Sequence, residues 1–158
     1  SDIMSMTINE SIIHFDGADK TGKDTLRDLL VKQSEGKYLV YVRSYISQIV
    51  YNRIYKRTIN EEFFWKRFKE DSDKGDLFFV FKCSKQVVFE RFVKHNEKDL
   101  HIDDYEQHSK VFDDVITEAQ KRNIQVYIFD TSIFKPDETL YQLKHIINTN
   151  IKPISNEA

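Results

Sequence analysis

Residues 17–24 read Gly-Ala-Asp-Lys-Thr-Gly-Lys-Asp, the spacing G-x-x-x-x-G-K with Asp24 where a hydroxyl residue is usual. The apolar run Ser11–Phe15 (SIIHF) stops just before this segment, and a helical stripe of Leu26, Leu29 and Leu30 begins just after it. A strand that enters a glycine loop and leaves as a helix restricts the fold sharply. The strand must lie in a sheet, and the helix must cross back over it. Gly17 and Gly22 supply backbone angles that a Cβ disfavours. The loop amides then turn inward as an anion nest, and the helix start adds unpaired N–H groups and a positive dipole end. Lys23 brings a full charge to the β- and γ-phosphates of a bound triphosphate. The segment is therefore expected to bind phosphate through Gly17, Ala18, Asp19, Lys20, Thr21, Gly22, Lys23, Asp24 and Thr25.

Asp24 has two readings. A carboxylate is a strong oxygen ligand for a hard cation, so Asp24 is expected to contact Mg2+ directly or through water. The other reading is a loop that has lost metal-dependent catalysis and keeps only binding. Thr25 could supply a hydroxyl only if the helix were re-phased. Asp16, at the strand end, either acts near the transferred phosphate or holds the loop.

The rest of the chain repeats the pattern of strand and helix. Tyr38–Val42, Leu77–Cys83 and Ile124–Asp130 read as further strands, the third (LFFVFKC) apolar along most of its length. Between them lie a stripe of Ile46, Ile49, Val50 and Ile54 and a helix from a Thr58–Glu61 capping box to about Phe68. Further helices follow over Lys85–Lys94 behind Ser84, on the stripe Tyr105, His108, Phe112, Val115, Ile116 and Ala119, and from Pro136 through Ile147. Ser72–Asp76 reads as a turn and His95–Asp103 as a polar loop. The expectation is a three-layer α/β/α fold around a mostly parallel sheet of about four strands. Residues 1–10 are set aside as a leader, 11–150 form the domain and 151–158 a C-terminal tail.

Composition removes several functions. The chain has 158 residues, enough for one domain, and its net charge of −2 carries no long basic run, so nucleic acid is not an expected partner. No apolar stretch approaches the roughly 18 residues that span a bilayer. The single cysteine, Cys83, fits a reducing cytoplasm and reads as a small buried hydrophobe in a strand. The histidines lack zinc spacing, and His14 reads as a packed or hydrogen-bonded strand residue. Phe63, Phe64, Trp65 and Phe68 could stack on a base, but helix packing is the simpler reading, with Phe64 and Phe68 sharing a face.

The stretch Phe15–Leu26 (FDGADKTGKDTL) resembles the F-D/E-G-x-D-x-S/T-G-K-S/T-T loop of thymidylate kinase and related deoxynucleoside monophosphate kinases, a family of P-loop NTPase fold. Three further segments follow in family order. Val42-Arg43-Ser44 with Ser47 and Tyr51 is similar to D-R-x-x-x-S-x-x-A-Y. Asp76–Phe81 with Glu90-Arg91 is similar to the family's P-D-L strand and E-x-x-x-x-R helix. Phe129-Asp130-Thr131-Ser132 is similar to its late I-D-A-S. The resemblance implies ATP-dependent phosphoryl transfer to a deoxynucleoside monophosphate, dTMP-like, within deoxynucleotide biosynthesis, with Mg2+ as cofactor and a homodimer as the common assembly.

It also implies roles. Asp19 would hold the acceptor's sugar hydroxyl, Lys20 and Lys23 would neutralise the moving phosphoryl group, and Arg43 would grip the acceptor phosphate. Thr131 and Ser132 would lie beside adenine. Val42 replaces the family's carboxylate, and we expect that carboxylate to have moved to Asp24. One strand–helix unit between the P-loop helix and Arg43 is expected to be missing, so the acceptor could instead be a modified nucleotide, a nucleoside or a base within DNA. A nucleotide-binding protein without catalysis is the remaining alternative.

Overall fold

The computed structural model describes residues 11–94 and 102–151. Four strands, β1 (Ile12–Asp16), β2 (Leu39–Val42), β3 (Leu77–Lys82) and β4 (Tyr127–Asp130), form one parallel sheet in the order β2-β1-β3-β4. Among the described residues six helices connect or follow them: α1 (Lys23–Gln33), α2 (Tyr45–Ile54), α3 (Glu61–Asp73), α4 (Lys85–Lys94), α5 (Ile102–Lys121) and α6 (Pro136–Asn150). The expected α/β sandwich with a four-stranded parallel sheet is the observed architecture.

The period of two along β3 divides the core. Phe78 and Val80 face α2–α5, where they meet Ile46, Ile49, Trp65, Phe68, Val88 and Val115. Leu77, Phe79 and Phe81 face the other way, onto Leu26 and Leu30 of α1 and Leu140, Leu143 and Ile147 of α6. Both faces of β3 are therefore covered, which explains its unbroken apolar run.

Several element boundaries differ from expectation. The cap of α3 is Asn60, whose side chain accepts from the Glu62 amide at 3.2 Å, and not Thr58. The helix then continues past Phe68 through Ser72 to Asp73, where Lys69 pairs with Asp73 at 3.1 Å and the Lys74 amide bonds the Glu70 carbonyl at 3.1 Å. The fourth strand is limited to Tyr127–Asp130; Ile124 and Val126 are buried before it starts. Of the polar stretch His95–Asp103, residues 95–101 lie outside the described residues and Ile102 and Asp103 open α5. The leader (1–10) and the tail from residue 152 also lie outside them, while Ile151 is buried against the α1–α6 core.

Other readings are settled by packing. Trp65 and Phe68 are core, Phe64 packs against it and Phe63 is exposed. His14 is buried, stacked 4.4 Å from Phe78, with Nε2 3.1 Å from Asp76 Oδ2. Cys83 is buried at the end of β3, and burial pushes its thiol pKa up.

Candidate nucleotide site

In a parallel sheet the crevice lies beyond the carboxyl ends of the strands, where successive connections leave in opposite directions. Here that point is the end of β1, between β2 and β3. The residues after all four strands converge on it. The Arg43 amide bonds the Phe15 carbonyl at 2.8 Å, and the Thr131 amide bonds the Lys82 carbonyl at 2.8 Å.

The loop after β1 is built into this floor. Gly17 has φ 150°, and a Cβ there would stand 2.5 Å from the Phe81 carbonyl oxygen. The Ala18 carbonyl turns inward and accepts from Thr21 Oγ1 at 2.7 Å and Lys23 Nζ at 3.3 Å. Thr131 Oγ1 donates to the Thr21 carbonyl at 2.5 Å, tying the loop to the end of β4. Gly22, at φ 91°, precedes α1 and has no side chain with which to cap it. The first-turn amides are thus left for another acceptor.

Beneath the loop, the buried Asp16 carboxylate accepts four hydrogen bonds: from the Ser44 amide (2.7 Å) and hydroxyl (2.5 Å), and from the Ser47 amide (3.2 Å) and hydroxyl (2.6 Å). Of the two roles considered for Asp16, this geometry is that of an anchor. It joins the P-loop strand to the start of α2 and so fixes Arg43, which sits just before Ser44 in the left-handed region at φ 72°.

A cavity of about 640 Å³ opens beside the loop. Among the expected residues it collects Asp19, Lys20, Gly22, Lys23, Asp24, Thr25 and Thr131. Lys23 is 4% exposed, and burial draws its ammonium pKa below the usual lysine value. Asp24, Asp19 and Asp16 oppose that shift and Arg43 reinforces it. Lys20 lies 5.6 Å over the Phe92 ring. Gly17, Ala18 and Thr21 shape the loop without lining the cavity. Ser132 does not line it either; its amide bonds Asp130 Oδ1 at 2.9 Å. Arg43, just after β2, is exposed and does not line this cavity. Burial raises the Tyr51 pKa, and Asp19 and Arg43 are the charges that act on it most. Tyr51 packs edge-on to His108 and Phe112.

Sequence reasoning gave no role to Arg91, Lys94, Phe134, Pro136 and Thr139, all of which line the cavity. Arg91 bonds the carbonyls of Lys20 (2.6 Å) and Thr131 (3.2 Å). Its signal in the sequence was its place in the E-x-x-x-x-R resemblance, while Lys94 and Pro136 entered only as helix ends.

No family model and no curated protein matches the sequence. Solved structures share its fold. The YorR protein of Bacillus subtilis, solved in complex with phosphorylated GDP, superposes with a TM-score of 0.71 at 15% identity, over 87% of this chain and 96% of that one. Thymidylate kinase from Candida albicans superposes with a TM-score of 0.60 at 12% identity, over 92% of this chain and 98% of that one. With its P-loop at the end of β1 and its helices on both faces of a parallel sheet, the chain has the P-loop kinase fold of the thymidylate kinase type.

Proposed function

We propose that this protein transfers the terminal phosphoryl group of ATP to a deoxynucleoside monophosphate, with a dTMP-like acceptor favoured. The observation that carries the reading is the buried Lys23 ammonium. It opens α1 at the end of a loop that borders a cavity of nucleotide size, and Arg43 is near enough for its charge to act on it. An acceptor phosphate oxygen attacks the γ-phosphorus, the bond to the bridging oxygen breaks, and ADP leaves with that oxygen's negative charge. Such transfer needs alignment and positive charge more than covalent help. Lys23 and the loop amides hold the donor, with Lys20 on the same wall. Arg43 receives the acceptor phosphate and Asp19 its sugar hydroxyl. Thr131 holds the loop in place beside the donor. Free nucleotides in the cytoplasm are the partners in this reading. No helix among the described residues is long and apolar enough to cross a membrane.

The donor set fits Mg2+ bound mainly by phosphate oxygens and water. Asp24 is exposed on the cavity wall, while Asp16 is committed to Ser44 and Ser47. Among the described residues no cluster of three His, Cys, Asp or Glu side chains forms a cage. Asp24 would hold the ion, whose chemistry is to neutralise charge on the β- and γ-oxygens. An Asp24→Ala protein with unchanged Mg2+ dependence removes that role.

A coupled assay over all deoxynucleoside monophosphates and deoxynucleosides tests the proposal; no turnover with any of them overturns it. Val42 favours a second reading. It is packed against the α1–α6 core where a carboxylate would be needed. ATP binding without transfer would select a nucleotide-binding protein.

A further inference from the structure

The end of α2 carries local positive charge that the whole-chain value of −2 conceals. Residues 52–60 include Arg53, Lys56 and Arg57 and no acidic residue. Arg53 is taken up by Glu61, which accepts from its Nε at 2.6 Å and its Nη2 at 2.8 Å. No ion pair among the described residues involves Lys56 or Arg57; Arg57 Nη1 donates to the neutral Asn52 Oδ1 at 3.3 Å. Both cations border a hollow of about 200 Å³. The backbone fixes them there. Lys56 takes the left-handed conformation at φ 51°, and the Arg57 amide turns back to the Asn52 carbonyl at 2.9 Å.

Aromatic surface accompanies this charge. Tyr51 and Tyr55, one helical turn apart, are stacked with ring centroids at 6.1 Å and planes at 20°. The Arg57 guanidinium lies 5.2 Å over the Tyr55 ring. Despite both contacts Tyr55 is 59% exposed. Neither Tyr55, Lys56 nor Arg57 lines the P-loop cavity. An open ring beside unmatched cations suits one class of ligand in both respects. Ring and guanidinium planes receive unpaired bases, and the charges receive phosphates. A duplex hides its base faces, and an acidic peptide engages the charges without the ring.

We propose that the end of α2 binds single-stranded nucleic acid, with Tyr55 and Arg57 against a base and Lys56 and Arg57 against the phosphates. The stack continues inward to Tyr51, on which the charges of Asp19 and Arg43 act, so the strand lies beside the groups assigned above to the acceptor. Strand binding at this surface requires neither ATP nor catalysis and goes beyond the kinase reading.

Fluorescence anisotropy of a labelled oligothymidylate with the full chain, titrated at several salt concentrations, tests this. The wild type is expected to bind the single strand in low salt roughly tenfold more tightly than a duplex of equal length or poly-glutamate. Tyr55→Ala, at an exposed position that does not threaten the core, is expected to weaken strand binding about tenfold, with Tyr55→Phe retaining it. Lys56→Ala combined with Arg57→Ala is expected to make the slope of log K against log salt shallower by about 1.4, the contribution of two phosphate contacts. Lys32→Ala, in the last turn of α1 on the opposite face of the sheet, is expected to leave affinity unchanged, and saturating ATP is expected to leave the strand bound. The inference is overturned if the wild type does not bind the strand, or if duplex or poly-glutamate binds as tightly. It also fails if Tyr55→Ala keeps full affinity or if Lys32→Ala weakens binding equally. Displacement of the strand by ATP overturns it as well and would assign the strand to the P-loop cavity.

Discussion

The Arg91 guanidinium is hydrogen-bonded to the main-chain carbonyl of Lys20 at 2.6 Å, at the point where the P-loop passes through the left-handed region at φ 63°. A second N–H of the same group reaches the Thr131 carbonyl. The loop's conformation is thus held from α4 and β4, two elements far from it in sequence. Charge-assisted bonds of this kind contribute more than neutral ones. Arg91→Ala is expected to weaken triphosphate binding about tenfold and to cost about 1–2 kcal/mol of stability. Arg91→Lys, with one compact donor group, is expected to recover only part of the loss. Calorimetry with ATP and urea melts on the same samples would measure both.

The Asp16 anchor should dominate stability at the opposite side of the loop. Asp16→Asn keeps the size but turns an amide donor towards groups that donate. We expect a loss of about 3 kcal/mol, and about 1 kcal/mol for Ser47→Ala, which removes a single bond. Urea midpoints that placed the two substitutions at equal cost would contradict the four-bond arrangement.

Two glycines with positive φ should respond differently to alanine. At Gly17 the new Cβ meets the Phe81 carbonyl, backbone that cannot move aside, whereas at Gly36 nothing lies within 4 Å. Gly36→Ala should cost about 1 kcal/mol, the left-handed strain alone. Gly17→Ala should cost about 3 kcal/mol or more and abolish triphosphate binding, since the loop must shift. Thermal melts with and without ATP separate the two effects.

Lys23 stores a conflict between stability and binding. Burial lowers its pKa from 10.5, so in the window between the lowered value and 10.5 the unfolded chain holds more protons than the folded one. Stability from this group therefore rises with pH across that window. Lys23→Met removes the buried charge and is expected to raise stability at neutral pH by about 1 kcal/mol while eliminating triphosphate binding. The stability gap between variant and wild type should narrow as pH approaches about 10. A variant less stable than wild type at neutral pH would contradict the assignment.

Much of this fold could be read before the structure. The segment Lys23–Gln33 and the helix Lys85–Lys94 behind Ser84 follow from local periodicity and capping. The apolar run of β3 followed from being covered on both faces. The Thr58 capping box misled because a short motif recurs by chance, and Asn60 lay closer to the acidic turn that Arg53 and Arg122 clamp. His95–Asp103 read as a loop from polarity alone, which says nothing about where the next helix begins.

The sequence by itself determined that a glycine-bounded turn carrying Lys23 joins β1 to α1, because glycine spacing, a lysine and the flanking periodicities are all local properties. The tertiary structure alone decided what surrounds that turn. Asp16 found its four donors on Ser44 and Ser47 at the start of α2, Arg91 reached the loop from α4, and α6 brought Thr139 to the cavity wall. Those relationships depend on how distant segments meet in space, and hydrogen bonds across a fold leave no spacing in the chain from which they could be read.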